Sequence, residues 1–354
     1  MNIDEYLTRA VELQASDVHI TLGVPAIIRR NGKLVPLNDK TLKKEDCIKL
    51  VTQILSEREL KVLNEKGEVD CAYSLAATGA RFRVNAFKQR SVYGAVLRVV
   101  NDRPPTFEEL KSPPIFAQLA KKQRGLILVT GPTGSGKSTT LAAMINFMNH
   151  NLNRHIITIE DPIEYLHKHG TCIINQRQIG KDSLSFSNSL RAALRQDPDV
   201  ILVGEMRDLE TISVALTAAE TGHLVLSTLH TIGAAKTIDR IVDIFPPSQQ
   251  NQVKTQLSTI LQGVISQQII PTADKKSRVA AFEIMITNNA LANLIREGKT
   301  HQMQNIIATS SAEHMTTMDG SLLELYRKRV IDKTNLFKYA VDAEYIKLEV
   351  DKIK

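Results

Sequence analysis

GLILVTGPTGSGKSTT, residues 125–140, decides the fold. Its second half, Gly131-Pro132-Thr133-Gly134-Ser135-Gly136-Lys137-Ser138, fits the phosphate-loop pattern G-x-x-x-x-G-K-[ST] at every fixed position. Upstream, Gly125 to Thr130 is a short apolar run of the kind that forms a buried parallel strand. Downstream, Thr139 to Met148 holds good helix formers and no proline. Strand, loop and helix in that order predict a parallel-sheet α/β core with a triphosphate cradle running from Gly131 to Thr139. The glycines let the backbone turn tightly and aim successive N–H groups at phosphate oxygens, while the helix adds the positive end of its dipole. In such a loop Lys137 bridges the β- and γ-phosphates and the Ser138 hydroxyl ligates Mg²⁺.

Three further apolar runs, at 155–160, 199–204 and 223–229, read as neighbouring strands separated by helical patterns. Ligands of open parallel sheets collect at the carboxyl ends of the strands, so the residues delivered there are the candidates. One run ends in Glu160 and the acidic cluster after it. Another ends in Gly204-Glu205, where many phosphate-loop enzymes carry a metal-holding Asp. Glu205 is then the residue to orient the attacking water, with Glu160 as a candidate for the metal shell or the base role; Glu205 is a further metal candidate. The competing reading makes each carboxylate a helix cap or an arginine partner. His230 leaves its strand beside Ser227 and Thr228 and is placed to sense the γ-phosphate. His223 and Arg207 are secondary candidates, and a lone histidine in an apolar run is as often a hydrogen-bonded core residue.

The composition is that of an ordinary globular chain: 354 residues, 43% hydrophobic and 23% charged, long enough for two domains. No stretch approaches a membrane span, and MNIDEYLTRA lacks the apolar run of a secretory leader, so a cytoplasmic location is expected. Cys47, Cys71 and Cys172 are isolated, which excludes a CxxC-type zinc site. The net charge of +7 permits nucleic acid or an anionic membrane surface as partner, but the basic residues are dispersed and read as solvated faces.

NDRPPTFEELKSPP, residues 101–114, divides the chain, because pre-proline sterics favour extended backbone there. Before it, 16–37 and 68–100 alternate apolar and polar residues while 42–64 has helical periodicity, predicting a small α+β domain with an antiparallel sheet. The expected layout is a first domain over 1–100, a linker or hinge over 101–118, the phosphate-loop core over 119–284 and a helical subdomain over 285–354.

These motifs resemble the secretion ATPases of type II secretion and type IV pili. TIEDPIEY at 158–165 is similar to that family's Asp box, RQDPDVILVGEMRDLET at 195–211 to its Walker B region and TGHLVLSTLHT at 221–231 to its His box. SDVHITLGVPAIIRRNGKL at 16–34 and IDRIVDIFPPSQQNQVKTQLS at 238–258 extend the likeness over nearly the whole chain. Met206, and the helix from Asn289 to Glu297, resemble the pilus-retraction branch, although Ala292 stands where that branch usually has Arg; the helix reads as capped by Thr287 and ended by Gly298. The assembly and secretion members' extra N-terminal domain and tetracysteine zinc element are not seen here. The resemblance implies a RecA-like core, a PAS-like first domain and a homohexameric ring with ATP held between the two domains. It further implies retraction of type IV pili, as in twitching motility, through an inner-membrane platform protein at the inner face of the cytoplasmic membrane, the pilin machinery being reached indirectly. Arg83 and Arg98, and secondarily Arg81, lie on strand-like segments whose family positions reach the γ-phosphate; a solvated strand face is the plain alternative. A pilus-assembly or type II secretion ATPase shares these parts. A nucleic-acid motor of the same core is the remaining reading, disfavoured by the absence of Trp and of interleaved basic and aromatic residues.

Overall fold

The computed structural model describes residues 2–30, 32–76, 78–100 and 103–352. They form two compact units: Met1–Arg103 with Glu164–Leu166, and Pro104–Ile163 with His167–Lys354. The first two residues of the expected linker, Asn101 and Asp102, lie outside the described residues.

In the first unit the order is α1 (Ile3–Glu12), β1 (Asp17–Ile20), β2 (Ile27–Arg30), β3 (Lys33–Pro36), α2 (Lys44–Thr52), α3 (Glu57–Lys66), β4 (Glu68–Ser74), β5 (Arg81–Gln89) and β6 (Val92–Val100). The strands pair antiparallel in the order β3-β2-β1-β6-β5-β4. Alternation decides the faces: Phe82, Val84 and Ala86 of β5 point to a core that Tyr6, Leu7, Leu50 and Leu63 of the helices complete. Helix α3 has both ends written locally, with a Ser56–Glu59 capping box at its start and Gly67, at φ +87°, closing it in the left-handed region. Helix α1 was not anticipated from its sequence; Asn2 caps it by accepting from the Glu5 N–H.

The second unit runs α4 (Ile115–Ala120), β7 (Gly125–Thr130), α5 (Lys137–Asn151), β8 (His155–Glu160), β9 (Ile173–Gln178), α6 (Phe186–Ala193), β10 (Val200–Val203), α7 (Leu209–Glu220), β11 (Leu224–Leu229), α8 (Ala234–Asp243) and α9 (Pro247–Ile260). It continues through β12 (Leu261–Pro271), β13 (Arg278–Ile286), α10 (Asn289–Glu297), α11 (Met303–Thr309), α12 (Met318–Arg327), α13 (Lys333–Tyr339) and α14 (Ala343–Asp351). Its sheet has the order β13-β12-β7-β11-β10-β8-β9, parallel except for β13. All six residues of β7 are buried because helices cover both faces: Ile127 and Val129 meet α4 and α5, whereas Leu126 and Leu128 meet the α6–α9 side. The four expected strands are present, and β9, β12 and β13 join them. The all-helical stretch accordingly starts after β13, at Asn289. Its first helix is capped by Asn288, which accepts from the Leu291 N–H, and not by Thr287 as its sequence suggested; Gly298 ends it at φ +69°. From Pro104 the proline-rich segment is packed: the Phe107 ring lies 5.3 Å from that of Phe147, and Asn146 donates to the Pro105 carbonyl at 3.1 Å. No helix among the described residues is long and apolar enough to cross a membrane.

After β8 the chain holds a half-buried imidazole. Nδ1 of His167 is sealed from solvent with no hydrogen-bond partner, and burial pushes the ring down to about 4. The unfolded chain, titrating near 6.5, therefore binds the proton first. Stability is complete above that pH and falls by up to about 3 kcal/mol as the pH drops from 6.5 to 4. His167→Gln is expected to flatten this part of the pH profile of thermal unfolding, and an unchanged slope would rule the sealed neutral ring out.

Candidate active site

The phosphate loop turns where its glycines allow. Gly131, Gly134 and Gly136 have φ of +139°, +80° and +86°. At Gly131 the fit is also steric, since a Cβ there would stand 2.2 Å from the Gln267 carbonyl oxygen. Gln267, buried on β12, braces the loop from beneath: its side-chain oxygen accepts from the Thr140 hydroxyl at 2.7 Å, and its amide nitrogen fills the space a Cβ on Gly136 would need. Sequence reading missed this residue, whose only signal is a glutamine pair inside an apolar strand.

Lys137 opens α5 and is buried, with Nζ donating to the carbonyls of Gly131 and Pro132 at 2.9 and 3.1 Å. The ammonium thus lies folded back over the cradle that a phosphate would share. Ser135 points a sealed hydroxyl with no partner into the same loop, which suits an absent anion. Ser138 sits exposed on the first turn of α5, beside Thr139.

Neighbouring strand ends are tied to one another at this edge. The Gly131 N–H donates to the Leu229 carbonyl (3.3 Å), the Gly204 N–H to Ile159 (2.8 Å) and the Met206 N–H to Thr228 (3.2 Å). Ser227 and Thr228 donate their hydroxyls to the carbonyls of Val203 and Gly204. Space at 204 is tight: a Cβ would come within 3.1 Å of the Ile159 oxygen and 3.4 Å of the Glu160 Cα, so a side chain there would press on the β8 backbone. Glu205 follows, half-buried, with Oε2 2.7 Å from Arg207 Nε and 3.6 Å from His230 Nε2. Glu160 accepts from Thr158 at 2.6 Å and from Gln176 at 3.2 Å. Glu160, Glu205, Arg207 and His230 are therefore brought to one edge, along with the loop.

His223 is not among them. It precedes β11 at the opposite edge, on the order of 20 Å of strand away from His230, and its Nδ1 lies 3.0 Å from the Ala218 carbonyl at the end of α7. A satisfied structural histidine describes it.

Arg81, Arg83 and Arg98 belong to the first unit. Arg83 and Arg98 stand directly opposite each other on the outer face of the sheet, a like-charge pair that costs stability on its own. Arg98 Nε also bonds Asp17 at 2.9 Å, and Arg29 approaches the same carboxylate at 4.0 Å. Burial opposes ionisation of Asp17, but hydrogen bonds from Ser16 and Arg98 and the Arg98 charge outweigh it and hold the carboxyl below its usual range.

The donors near the loop are hydroxyl and carboxylate oxygens, the set a hard divalent cation takes. No group of three or more His, Cys, Asp or Glu among the described residues could hold an ion unaided.

A family model described as Type II/IV secretion system protein matches residues 1–337. The chain is 48% identical over 335 residues to the type IV pilus retraction ATPase PilT of Pseudomonas aeruginosa, covering 95% of this chain and 97% of that one. It is also 48% identical to a twitching motility protein of Neisseria gonorrhoeae, over 92% of this chain and 86% of the other. Among solved structures, the pilus retraction motor PilT with bound ADP superposes with a TM-score of 0.92 at 46% identity, over 98% of this chain and 99% of that one. With the match running through every strand that carries the site, the chain belongs to the type II/IV secretion system protein family.

Proposed function

We infer that this chain is the ATP-hydrolysing motor subunit that powers retraction of type IV pili. One observation carries the reading: a complete phosphate loop aligned with the Glu205–His230 pair, in a chain 48% identical over 95% of its length to a retraction ATPase. The loop amides and Lys137 hold the phosphates, and Glu205 orients the attacking water, with His230 and Arg207 fixing its carboxylate. Ser138 is the residue that would hold Mg²⁺, with Glu160 and Glu205 toward its outer shell; when bound, the ion neutralises charge on the phosphate oxygens.

The working unit is a homohexamer, and arginines of the first domain supply the remaining positive charge. The opposed Arg83 and Arg98 favour an anion between them, and Arg81 lies on the same strand. Alternating affinity for ATP and ADP would turn the first domain against the core about the start of the expected linker, since the chain from Pro104 onward packs with the core. The helical part follows β13, from Asn289 on. The motion acts on an inner-membrane platform protein from the cytoplasmic side. Deleting the chain from its host and imaging pili tests the direction of the motor: excess, immobile pili are expected, and loss of pili would indicate assembly instead.

A further inference from the structure

Glu283 is a carboxylate set in the apolar run Ala280 to Ile284 and is 3% exposed. On β13 it stands opposite Ser266 of β12, which in turn stands beside Thr130, the residue leading into the phosphate loop. A strip of buried polar side chains, Glu283, Ser266 and Thr130, thus runs across three neighbouring strands of the sheet. Glu283 Oε1 accepts from the Ala234 N–H at 2.7 Å, and Ser266 Oγ accepts from the Gly233 N–H at 2.9 Å. These are the opening N–H groups of α8, whose N-cap, Gly233 at φ +90°, has no side chain to cap with. The second carboxylate oxygen accepts from Gln304 of α11 at 3.5 Å. No Lys, Arg or His among the described residues pairs with Glu283 within 4.0 Å, so its charge is met by the helix start and by neutral donors.

Helix α8 begins four residues after His230. Thr231 and Thr237 share a 2.7 Å hydroxyl contact, and Thr237 donates to the Gly233 carbonyl at 2.7 Å, so the intervening loop is bound to the helix's first turn. We propose that Glu283 is a positioning residue for hydrolysis. It fixes the start of α8, through that loop sets His230 against Glu205, and through Gln304 ties this setting to the helices that follow β13. The proposal rests on the ATPase reading above.

The test compares steady-state ATPase activity and affinity for a fluorescent ADP analogue in the full-length protein. Glu283→Ala is expected to lower kcat about tenfold while leaving the Kd within about twofold, because a displaced group slows chemistry without uncovering the cradle. Glu283→Gln, whose amide oxygen still accepts from Ala234, should recover most of that loss. In a His230→Ala background Glu283→Ala should cost less than about twofold, since the two residues act through one geometry. Independent, multiplying losses or an unchanged kcat would overturn the proposal. If Glu283→Ala fails to fold, Ser266→Ala, which removes only the Gly233 contact, must show the same dependence on His230. Wild-type protein without ATPase activity would defeat the function reading itself, an outcome distinct from any pattern among the variants.

Discussion

Lys137→Ala is expected to lower kcat/KM for ATP by about 10³-fold or more, while the protein stays folded. The side chain is one of few full positive charges at the phosphate loop, and it lies within reach of any phosphate held by the amides of residues 131–138. In the structure its ammonium is buried and bonded to the Gly131 and Pro132 carbonyls. Those bonds hold the charge at the loop, and a phosphate would exchange neutral carbonyl partners for anionic ones, adding the attraction of opposite charges to each hydrogen bond. Because charge develops along the β–γ linkage as the phosphoryl group transfers, an ammonium that bridges the β- and γ-phosphates stabilises the transition state as well as the bound nucleotide, and losing it costs rate as well as affinity. The cost to stability is small, since the bonds to the Gly131 and Pro132 carbonyls lie in a loop at the edge of the unit; a shift in Tm of no more than about 4 °C is expected. Malachite-green phosphate release and circular dichroism on the same sample separate the two effects. Hydrolysis near the wild-type rate would remove the phosphate loop from the mechanism altogether.

Much of this site was legible because its signals are local. A phosphate loop is written in consecutive residues, and β7, β8, β10 and β11 are short, mostly apolar runs, so Glu160, Glu205 and His230 could be placed at strand ends by counting. Where the signal is not local, reading fails in specific ways. β12 and β13 carry Ser266, Gln267, Gln268 and Glu283 at buried positions, which breaks the apolar run that marks a core strand. Each of these polar groups answers a partner remote in sequence: Thr140 for Gln267, Ala234 for Glu283. β9 is an edge strand with mostly polar residues and has no pattern to announce it. His223 and His230 look equivalent in TGHLVLSTLHT, yet the strand between them sends one to each edge of the sheet. The glycine at 204 reads as a missing Asp, and only the fold shows how closely Ile159 and Glu160 approach it. Arg83 and Arg98 are visible as strand residues, but their opposition follows only from the pairing of β5 with β6.

Glu205→Gln should separate binding from chemistry. The substitution preserves the volume of a half-buried side chain and lets its oxygen still accept from Arg207, now 2.7 Å away, so the strand ends keep their positions. What it removes is the negative charge that draws a proton from the attacking water and that His230 faces at 3.6 Å. Loss of a general base or water-orienting carboxylate lowers kcat by about 10²- to 10⁴-fold. Affinity for ATP should stay within a few-fold, because the phosphates are held by the loop amides and Lys137, none of which touches Glu205 in the hydrogen-bond pattern described above. The variant should therefore bind ATP and keep it, the opposite of Lys137→Ala, which loses both. Equilibrium binding of labelled ATP alongside single-turnover hydrolysis distinguishes the two. If Glu205→Gln instead hydrolyses within about threefold of wild type, the base role passes to Glu160. That carboxylate has donors of its own, Thr158 at 2.6 Å and Gln176 at 3.2 Å, which hold it in place. Glu160→Gln would then have to produce the larger loss, and the order of the two effects assigns the base.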